Sequence, residues 1–383
     1  KVEASWQGYL STQWSKCEEI FSNLDKGTNL PKWSGSESQP TDTDGDGLLD
    51  VTTPEQFRWA VANLQSMKLM NDIDLNGVTW VPVNAGTTGF TIDGNGHTVY
   101  NLKITSNGPG SFAHVGVGLI SYANNANFWM KNITFRYANV RGSGYNFAVA
   151  VGCLDRGHLE DVAVEDSIVV GSHFVAGLAV GWDTAVDMAF NGTVINDNPI
   201  KTINRCHTTR VYTYGGNCIG NFTAPLMGAH VSNSYAVDGV TVSTGGHSGG
   251  FISCPGYNYI ENCFCNITMY GQSKTAVFSG VAHHSNKYVN CYASGVVEGE
   301  SYVGGFVGDG EAPEAQSTHS YYENCYSTSM VGMQNQAANM GGFVGYEDGY
   351  LHMDSCYSAG EVGALTTDPV NPGSVGGFGG LLA

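Results

Sequence analysis

Short apolar runs alternate with glycine-rich turns along most of the chain, and the pattern recurs at a nearly constant interval. Each copy begins with a polar residue, which is followed by an aliphatic residue in the early copies and by Cys or Ser and then an aromatic residue in the later ones. Successive copies are 31, 29, 44, 28, 29, 28, 34 and 31 residues apart. The copies begin at Asn101, Asn132, Asp161, Arg205, Asn233, Asn262, Asn290, Asn324 and Ser355.

A second, glycine-rich apolar run completes each repeat. Its copies are Val117–Ile120, Ala176–Ala179, Gly249–Ile252, Gly304–Gly308, Gly341–Gly345 and Gly376–Gly379. Periods of this length, built from short β runs and glycine turns with no helical stretch between them, predict a solenoid. The fold class expected from the pattern is therefore all-β.

Alternation along a strand assigns a place to each residue of the triplet. After Asn290, the residues Cys291 and Ala293 share one face of the strand and Tyr292 takes the other. Asparagine tolerates the left-handed conformation that a sharp corner requires, which predicts a corner ladder. That ladder comprises Asn101, Asn132, Asn233, Asn262, Asn290 and Asn324. The pattern also predicts an interior ladder of Cys206, Cys263, Cys291, Cys325 and Cys356, and an outward aromatic row of His207, Tyr235, Phe264, Tyr292, Tyr326 and Tyr357.

Gly-Gly-Phe-Val-Gly following Asn-Cys-Tyr resembles the GLUG-type repeat of bacterial and archaeal surface proteins. The segments Thr53–Phe57, Asn71–Leu75, Trp80–Val83 and Phe90–Thr98 resemble the first coil of such proteins. The resemblance covers about residues 50–383 and implies a right-handed parallel β-helix. It does not select an activity, because such repeats occur in adhesins, polymers and enzyme-attached modules alike. At about 4.8 Å per coil, about nine coils form a rod of roughly 40 Å.

The two ends of the chain depart from the repeat. Residues 1–50 form an aromatic arm and an acidic loop, and residues 51–383 form the β-helix with an insertion near residues 183–200. Apolar positions at helical spacing predict a short capping helix near residues 53–67. The arm is too aromatic for a disordered tail, so it packs on its own rod or on a neighbouring subunit. The final repeat has no polar capping element, which indicates either truncation or a β edge used in assembly.

Charge narrows the range of functions. Acids outnumber bases 34 to 16, giving a formal charge of -18, so a nucleic-acid partner is not expected. No apolar run approaches the roughly 20 residues needed to span a membrane. From residue 211 onward the bases are Lys274 and Lys287 and there is no Arg, which argues against a lyase that must neutralise acidic sugars.

One segment has the oxygen spacing of a calcium loop. Asp42, Asp44, Asp46 and Asp50 stand at positions 1, 3, 5 and 9, with Gly47 at position 6. The twelfth position is Thr53 rather than the bidentate Glu of an EF-hand, and a solvated acidic linker is the alternative interpretation. We expect any calcium there to be structural, and we expect no other cofactor.

The remaining candidate chemistry is sparse. Cysteines of the ladder recur once per repeat rather than in Cys-x-x-Cys pairs, which predicts core packing. His283 and His284 have no Cys or acid at ligand spacing in the sequence, so no metal site is expected there. Cysteines outside the ladder are the candidates for cross-links, namely Cys17, Cys153, Cys218 and Cys254. Sequons occur at Asn132, Asn191, Asn221 and Asn266, of which the last three are the candidate glycosylation acceptors.

Enzymatic activity is not the favoured interpretation. A glycosidase needs two carboxylates about 5–10 Å apart, and the best candidate cluster is Asp161, Glu165 and Asp166. No nucleophile elbow, Walker motif or zinc-protease motif is present, and we assign no catalytic residue. The sequence favours an extracellular structural subunit of a sheath, surface layer or fibre that binds copies of itself through open β edges and the arm. The alternatives are an adhesin that binds cell-wall or host glycans through the aromatic row, and a carbohydrate-active β-helix enzyme.

Overall fold

The computed structural model describes residues 5–111, 113–181, 188–310, 319–333, 338–347, 352–364 and 375–382. Half of these described residues are in strands and 8% are in helices, as the repeat pattern predicts. The helices are α1 (Trp6–Asn23) and α2 (Pro54–Ala62).

The strands follow the repeat. Up to the insertion they are β1 (Leu49–Val51), β2 (Met67–Leu69), β3 (Ile73–Asp74), β4 (Val83–Gly86), β5 (Thr91–Asp93), β6 (Thr98–Tyr100), β7 (Lys103–Thr105), β8 (Ile120–Arg136), β9 (Asn139–Arg141), β10 (Tyr145–Phe147), β11 (Leu154–Val170), β12 (His173–Val175) and β13 (Ala179–Gly181). The next are β14 (Lys201–Asn204), β15 (His207–Gly215), β16 (Asn217–Ile219), β17 (Thr223–Met227), β18 (His230–Ser232), β19 (Tyr235–Ser243), β20 (Gly246–Gly249), β21 (Pro255–Gly256), β22 (Tyr259–Glu261), β23 (Phe264–Tyr270), β24 (Ser273–Ala276), β25 (Ser279–Val281), β26 (Lys287–Val289) and β27 (Tyr292–Ala293). The last are β28 (Val296–Glu298), β29 (Ser301–Gly304), β30 (Val307–Asp309), β31 (Tyr321–Glu323), β32 (Tyr326–Ser327), β33 (Met330–Met333), β34 (Ala338–Gly341), β35 (Val344–Glu347), β36 (His352–Asp354), β37 (Tyr357–Ser358), β38 (Val362–Ala364), β39 (Val375–Gly376) and β40 (Gly379–Leu382).

Strands of successive repeats pair in parallel and in register, an arrangement compatible with a parallel β-solenoid. One interior row can be followed through consecutive ladders from β1 to β36. Its members are Leu49, Met67, Ile92, Met130, Leu159, Ile203, Val231, Ile260, Tyr288, Tyr322 and Met353. Because side chains alternate along a strand, this register gives every repeat the same inward face.

A ladder of phenylalanine rings fills the interior beside the glycine-rich runs. Ring centroids of successive members are 4.5–5.1 Å apart. The members are Phe222, Phe251, Phe278, Phe306, Phe343 and Phe378. Backbones approach closely next to the rings: a Cβ at Gly305 would lie 2.1 Å from the carbonyl oxygen of Gly342. The close approach explains why the Gly-Gly-Phe run begins with glycine.

The repeat turns at three corners, each formed by residues with positive φ. The first corner contains Asn132, Asp161, Arg205, Asn233, Asn262, Asn290, Asn324 and Ser355. The second contains Asn101, Tyr137, Asp166, Arg210 and Asp238, and the third contains Asn146, Phe174, Cys218, His247, Lys274, Tyr302 and Asn339.

The predicted corner ladder is therefore wrong at Asn101. Tyr100 pairs with Arg136, so Asn101 lies beside Tyr137 and not in line with Asn132. The two corners have similar sequence requirements, which made Asn101 and Asn132 look equivalent. Side-chain bonds join some neighbours along the first corner, as when Asn290 Nδ2 donates to Asn262 Oδ1 at 3.1 Å.

Helix α1 packs on the flank of its own rod. Trp6 Nε1 donates to the carbonyl oxygen of Gly271 at 3.1 Å, and Tyr9 Oη donates to Glu298 at 2.6 Å. Further along the helix, Glu18 accepts two hydrogen bonds from the Arg141 guanidinium, at 2.7 and 2.8 Å. Of the two predicted positions for the arm, the structure has the one within the same chain.

Chain segments before β2 lie over the first repeat. Helix α2 begins after Thr53, whose side chain accepts a bond from the Gln56 amide, and it buries Phe57 and Val61 in the main core. It ends at Ala62, five residues before the predicted limit of 67, because β2 begins at residue 67.

The insertion lies partly outside the described residues, since residues 182–187 are not described. Residues 188–200 run beside the later repeats, where the Phe190 amide donates to Tyr257 at 3.0 Å. The Phe190 ring also meets that of Tyr321 edge-on at 5.4 Å.

Candidate functional sites

The outward aromatic row forms a continuous ring stack. Centroids of His207, Tyr235, Phe264, Tyr292, Tyr326 and Tyr357 are 4.7–5.0 Å apart, with interplanar angles of 2–10°. Each inner ring is therefore covered on both faces by its neighbours. A sugar stacks on an open ring face, so most rings of the row have no free face on which a sugar could bind. Tyr357, which is 52% exposed, has a stacked neighbour on one side only among the described rings.

The interior cysteine ladder is a packing feature. Cys206, Cys263, Cys291 and Cys325 are buried, and each thiol donates to the carbonyl two residues before it. Ser234 occupies the same register position between Cys206 and Cys263, and its hydroxyl donates to the Ser232 carbonyl at 2.7 Å. The position therefore selects a small side chain that can bond the backbone. Burial raises the pKa of the Cys206 thiol to about 12, which makes it unreactive at neutral pH.

Cys356 ends the ladder and is partly exposed, with its thiol donating to the Asp354 carbonyl at 3.4 Å. No disulfide joins any of the ten cysteines, all of which lie in described parts of the chain. Of the four cross-link candidates, Cys17 lies on the buried face of α1, where it packs against Ile168 and Tyr212, and the Cys153 thiol lies 3.5 Å from Asp155. The structure brings together the other two, with 2.9 Å between the sulfur atoms of Cys218 and Cys254.

The carboxylates considered for glycosidase chemistry are held in ion pairs. Arg205 Nη2 lies 2.7 Å from Asp161. Asp166 forms ion pairs with Arg136, at 2.8 Å, and with Arg210. Burial alone would raise the pKa of Asp166, but the hydrogen bonds and charges of the two guanidinium groups outweigh it and hold that pKa below its usual value.

Glu165 is held in the same way. A hydrogen bond from His207 is the main reason that the pKa of Glu165 is lowered. A general acid in this role needs a raised pKa, so Glu165 and Asp166 have the opposite electrostatics.

The acidic loop has the shape that its sequence predicts. Asp42 accepts bonds from the amides of Gly45 and Gly47, and carboxylate oxygens of Asp42, Asp44 and Asp50 lie within 4.8 Å of one another. The Lys68 ammonium approaches the same group, at 2.7 Å from Asp44 and 3.8 Å from Asp50.

These charges affect one another. The hydrogen bonds that Lys68 donates to Asp44 and Asp46 raise the pKa of Lys68, and the bond that Lys68 donates is the main cause of the lowered pKa of Asp46. Asp50 Oδ1 is buried and has no hydrogen-bond partner, so one inward oxygen is available to a cation.

The four sequons differ in accessibility. Asn191 and Asn266 are exposed, whereas the Asn132 side chain donates to Asp93 at 3.1 Å. Asn221 is fully buried, with its amide donating to the Val211 carbonyl at 2.8 Å. The expectation of a glycan on Asn221 is therefore wrong for the folded chain, because the amide has no path to an enzyme.

The sulfur pair belongs to a larger cluster that sequence reasoning missed. Ligand atoms of Cys218, His247 and Cys254 lie within 4.8 Å of one another. His283 lies beside this cluster, since its ring centroid is 6.0 Å from that of His247, and it acts to lower the pKa of the Cys254 thiol against the larger effect of burial. The sequence places no Cys at ligand spacing from His283, because the fold and not the local sequence supplies the neighbour. A signal did exist: Cys218 and His247 are 29 residues apart, which is one repeat.

Comparisons with known proteins identify no family for the chain. No protein-family model matches the chain, and no curated protein matches it by sequence. A solved structure described as a "putative immunoglobulin A1 protease" from Bacteroides ovatus is similar at 15% identity and a TM-score of 0.49, covering 88% of this chain and 91% of that one. A similarity at this level supports no inference about activity. Among the described residues, no helix has both the length and the apolar character needed to cross a membrane.

Proposed function

We propose that the chain is a structural subunit of an extracellular assembly, such as a sheath, surface layer or fibre, and that copies associate through β edges. We further propose that its repeats form a right-handed helix of about nine coils. The observation that carries the proposal is the edge of the last described repeat. Strands β36, β37 and β38 pair with β31, β32 and β33 and have no other hydrogen-bonded neighbour in the parts of the chain that the structure describes.

The edge has the geometry of an interior repeat. Amides of Tyr357 and Ala359 donate to Cys325 and Ser327 in the preceding repeat. In a parallel ladder the residue between them faces the other way, so the N–H and C=O of Ser358 point to the open side. Ser327 stands at the same position one repeat earlier, and its carbonyl oxygen accepts a hydrogen bond from the Ala359 amide of the next repeat. A further β layer can therefore add to this edge without rearrangement.

The two ends of the rod are unequal, which limits how copies can join. At the first repeat, α2 and the segment from Lys32 to Asp50 lie over β1 and β3, so the same edge is not offered there. Edge pairing then joins two copies through the same surface, which closes at a dimer. We propose this pair as the building unit, with growth beyond it requiring a second contact. Since α1 already packs on its own rod, it is a less suitable contact than the sequence alone indicates.

Light scattering after size-exclusion chromatography tests the pairing, together with negative-stain microscopy of material from the native source. Ser358→Pro removes the outward N–H while leaving the amides that bond the preceding repeat, and Ser358→Ala is the matched control. We expect the wild type and the Ala variant to pair and the Pro variant to remain single. A wild type that stays strictly monomeric at all concentrations, with no ordered assemblies under the microscope, contradicts the proposal.

A second candidate function is glycan binding at the exposed ring of Tyr357. This ring lies on the same edge, so glycan binding and pairing would compete. A glycan array with Tyr357→Ala, controlled by Tyr326→Ala inside the stack, separates the two functions. Binding that depends on Tyr357 in the monomer supports the adhesin, and binding lost equally in both variants does not.

We also propose that the loop from Asp42 to Asp50 binds Ca²⁺ as a structural ion. The converging carboxylates and the inward Asp50 oxygen support this proposal. Calcium would have to displace the Lys68 ammonium, so binding competes with an existing ion pair. The loop adjoins β1 and α2, so the expected consequence is a more stable first repeat.

A further inference from the structure

We propose that Cys218, His247, Cys254 and His283 form a closed binding site for a thiophilic divalent cation such as Zn²⁺. Two thiolates and two imidazoles are the ligand set of many structural zinc sites. The inference is independent of the proposed assembly, because the cluster lies away from the last repeat.

The fold places the first two ligands together. A bridge between Gly220 and Gly249 sets the register of neighbouring repeats, and this register puts Cys218 directly beside His247. Both residues lie on the third corner with φ values of 54° and 62°. A left-handed residue at the same point of each repeat turns successive side chains to the same side, so the thiol and the imidazole are adjacent.

The third ligand arrives from the other side of a bend. After β20 the chain turns through the glycine-rich run and brings Cys254 back toward the corner. Its sulfur lies 2.9 Å from that of Cys218 and 3.4 Å from the carbonyl oxygen of His247. Both thiols are almost fully buried, against an apolar wall that includes Phe174.

The distances suit a tetrahedral cation after small adjustments. Bonds of about 2.3 Å to sulfur and 2.0–2.1 Å to nitrogen imply ligand atoms roughly 3.3–3.8 Å apart. The sulfur atoms, 2.9 Å apart, must separate by about 0.9 Å, and the His247 nitrogen, which lies within 4.8 Å of both, must approach them by at most about 1.2 Å. Such shifts are within reach of side-chain rotation.

His283 completes the set. Its ring lies nearly perpendicular to that of His247, at 83° and 6.0 Å between centroids, and His283 is among the groups that act on the pKa of the Cys254 thiol. Two imidazoles on one tetrahedral cation have centroids about 5 Å apart, so His283 lies close to the fourth position. On binding, each thiol releases its proton to solvent and each imidazole contributes a lone pair, with no change in oxidation state. Four protein ligands leave no open position, which indicates a structural role that joins the corner to the bend.

Cobalt titration of the full chain tests the site. The chain is reduced with a phosphine, stripped of metal by a chelator, and titrated with Co²⁺, which reports tetrahedral thiolate ligation by its visible and near-ultraviolet absorption. We expect one equivalent per chain, displaced by Zn²⁺, and a higher unfolding temperature with metal. Absence of tetrahedral bands, or a stoichiometry unrelated to one per chain, overturns the proposal.

Variants separate this cluster from the other thiols. Cys254→Ser and His283→Asn remove proposed ligands, whereas Cys291→Ser alters a ladder thiol at a position type where the chain already tolerates Ser234. Loss of an outer-shell partner weakens metal binding about 10–100-fold, so loss of a ligand should weaken it more. The Cys291→Ser variant should bind as the wild type does. Equal loss in all three variants overturns the assignment.

A disulfide is the competing use of the same sulfur atoms. Alkylation of native-source protein without reductant, followed by mass spectrometry, distinguishes the two. Both Cys218 and Cys254 should be alkylated when the protein is unfolded without reductant in the presence of a chelator. A peptide pair cross-linked through these two residues in the native protein overturns the proposal.

Discussion

Phe306 lies at the centre of the buried ring ladder, and replacing it tests whether aromatic stacking holds neighbouring repeats together. Its ring is 4.5 Å from that of Phe278 and 4.7 Å from that of Phe343, with interplanar angles of 8° and 6°. Tyr288 and Tyr322 contact it edge-on at 5.8 and 6.0 Å. The side chain is fully buried.

The expected cost follows from these contacts. Truncating a buried Phe to Ala typically destabilises by about 3–5 kcal/mol, through lost transfer free energy and the cavity that remains. Each aromatic pair contributes about 0.5–1.5 kcal/mol beyond area burial, so the two stacked neighbours account for about 1–3 kcal/mol of this cost. Phe306→Leu retains most of the volume and should cost about 1–3 kcal/mol. Tyr292→Ala, in the half-buried outer row with two stacked neighbours, should also cost about 1–3 kcal/mol.

Two measurements check the ordering. Urea unfolding gives the free energy of unfolding, provided that the slope is unchanged between variants. Hydrogen exchange then locates the loss, because in a repeat protein each unit contacts only its neighbours and the effect should concentrate in the repeats beside Phe306. The reasoning is refuted if Phe306→Ala costs no more than Tyr292→Ala, or if exchange rises uniformly along the rod.

Four further outcomes are expected. The pKa of Asp166 is lowered in the folded chain, so its ionised carboxylate stabilises the fold at pH values above the unfolded pKa of about 3.9, and this stabilisation is lost as the pH falls through the folded pKa. The difference in unfolding free energy between wild type and Asp166→Asn should therefore shrink on acidification. A difference that does not change with pH contradicts the assignment. Calcium should raise the unfolding temperature and do so at lower concentration in Lys68→Met, which lacks the competing ammonium; a temperature unaffected by calcium in both proteins rejects the site. Peptide mapping after secretion from a glycosylating host should find glycan on Asn266 and none on Asn221, and a glycan on the latter would show that the folded structure is not the substrate. Cys291→Ser should change the unfolding free energy by less than about 1 kcal/mol, because the serine hydroxyl can donate to the same carbonyl oxygen. Cys291→Leu should lower the unfolding free energy by about 1–3 kcal/mol, because the larger side chain overpacks the core. Equal effects of the two substitutions would show that side-chain size does not limit this position.

Periodicity made most of the fold predictable. The triplets fixed which residues face inward, and the observed stack from His207 to Tyr357 and the buried thiols from Cys206 to Cys325 follow the predicted faces. The prediction was wrong at Asn101 because each repeat has several corners with the same conformational demand. A left-handed corner accepts Asn, Asp, Arg or Tyr here, so residue type alone cannot assign a polar residue to a particular corner.

The candidate sites were less predictable, because in this fold chemical neighbours are one repeat apart along the chain. Arg136, Asp166 and Arg210 meet across gaps of 30 and 44 residues, so the local sequence gives no sign that the carboxylate is neutralised. The same holds for α1, whose contacts with Gly271 and Glu298 span more than 260 residues. Tertiary register, rather than motif spacing, decides which charges pair and which faces are covered.

The same register explains why one set of cysteines packs and another can chelate. Along the interior ladder, successive thiols point in the same direction, and each bonds a carbonyl of its own strand, as Cys291 does at 3.3 Å. Parallel stacking therefore keeps these sulfur atoms side by side, and none of the ladder cysteines belongs to a cluster of potential metal ligands among the residues that the structure describes. At the third corner, Cys218 and His247 project from one side of a bend while Cys254 approaches from the other, so three ligand atoms converge on one point. Convergence from two directions is what a tetrahedral cation requires, and a single ladder cannot supply it. Metal binding that survives Cys254→Ser would show that this distinction between ladder and bend is wrong.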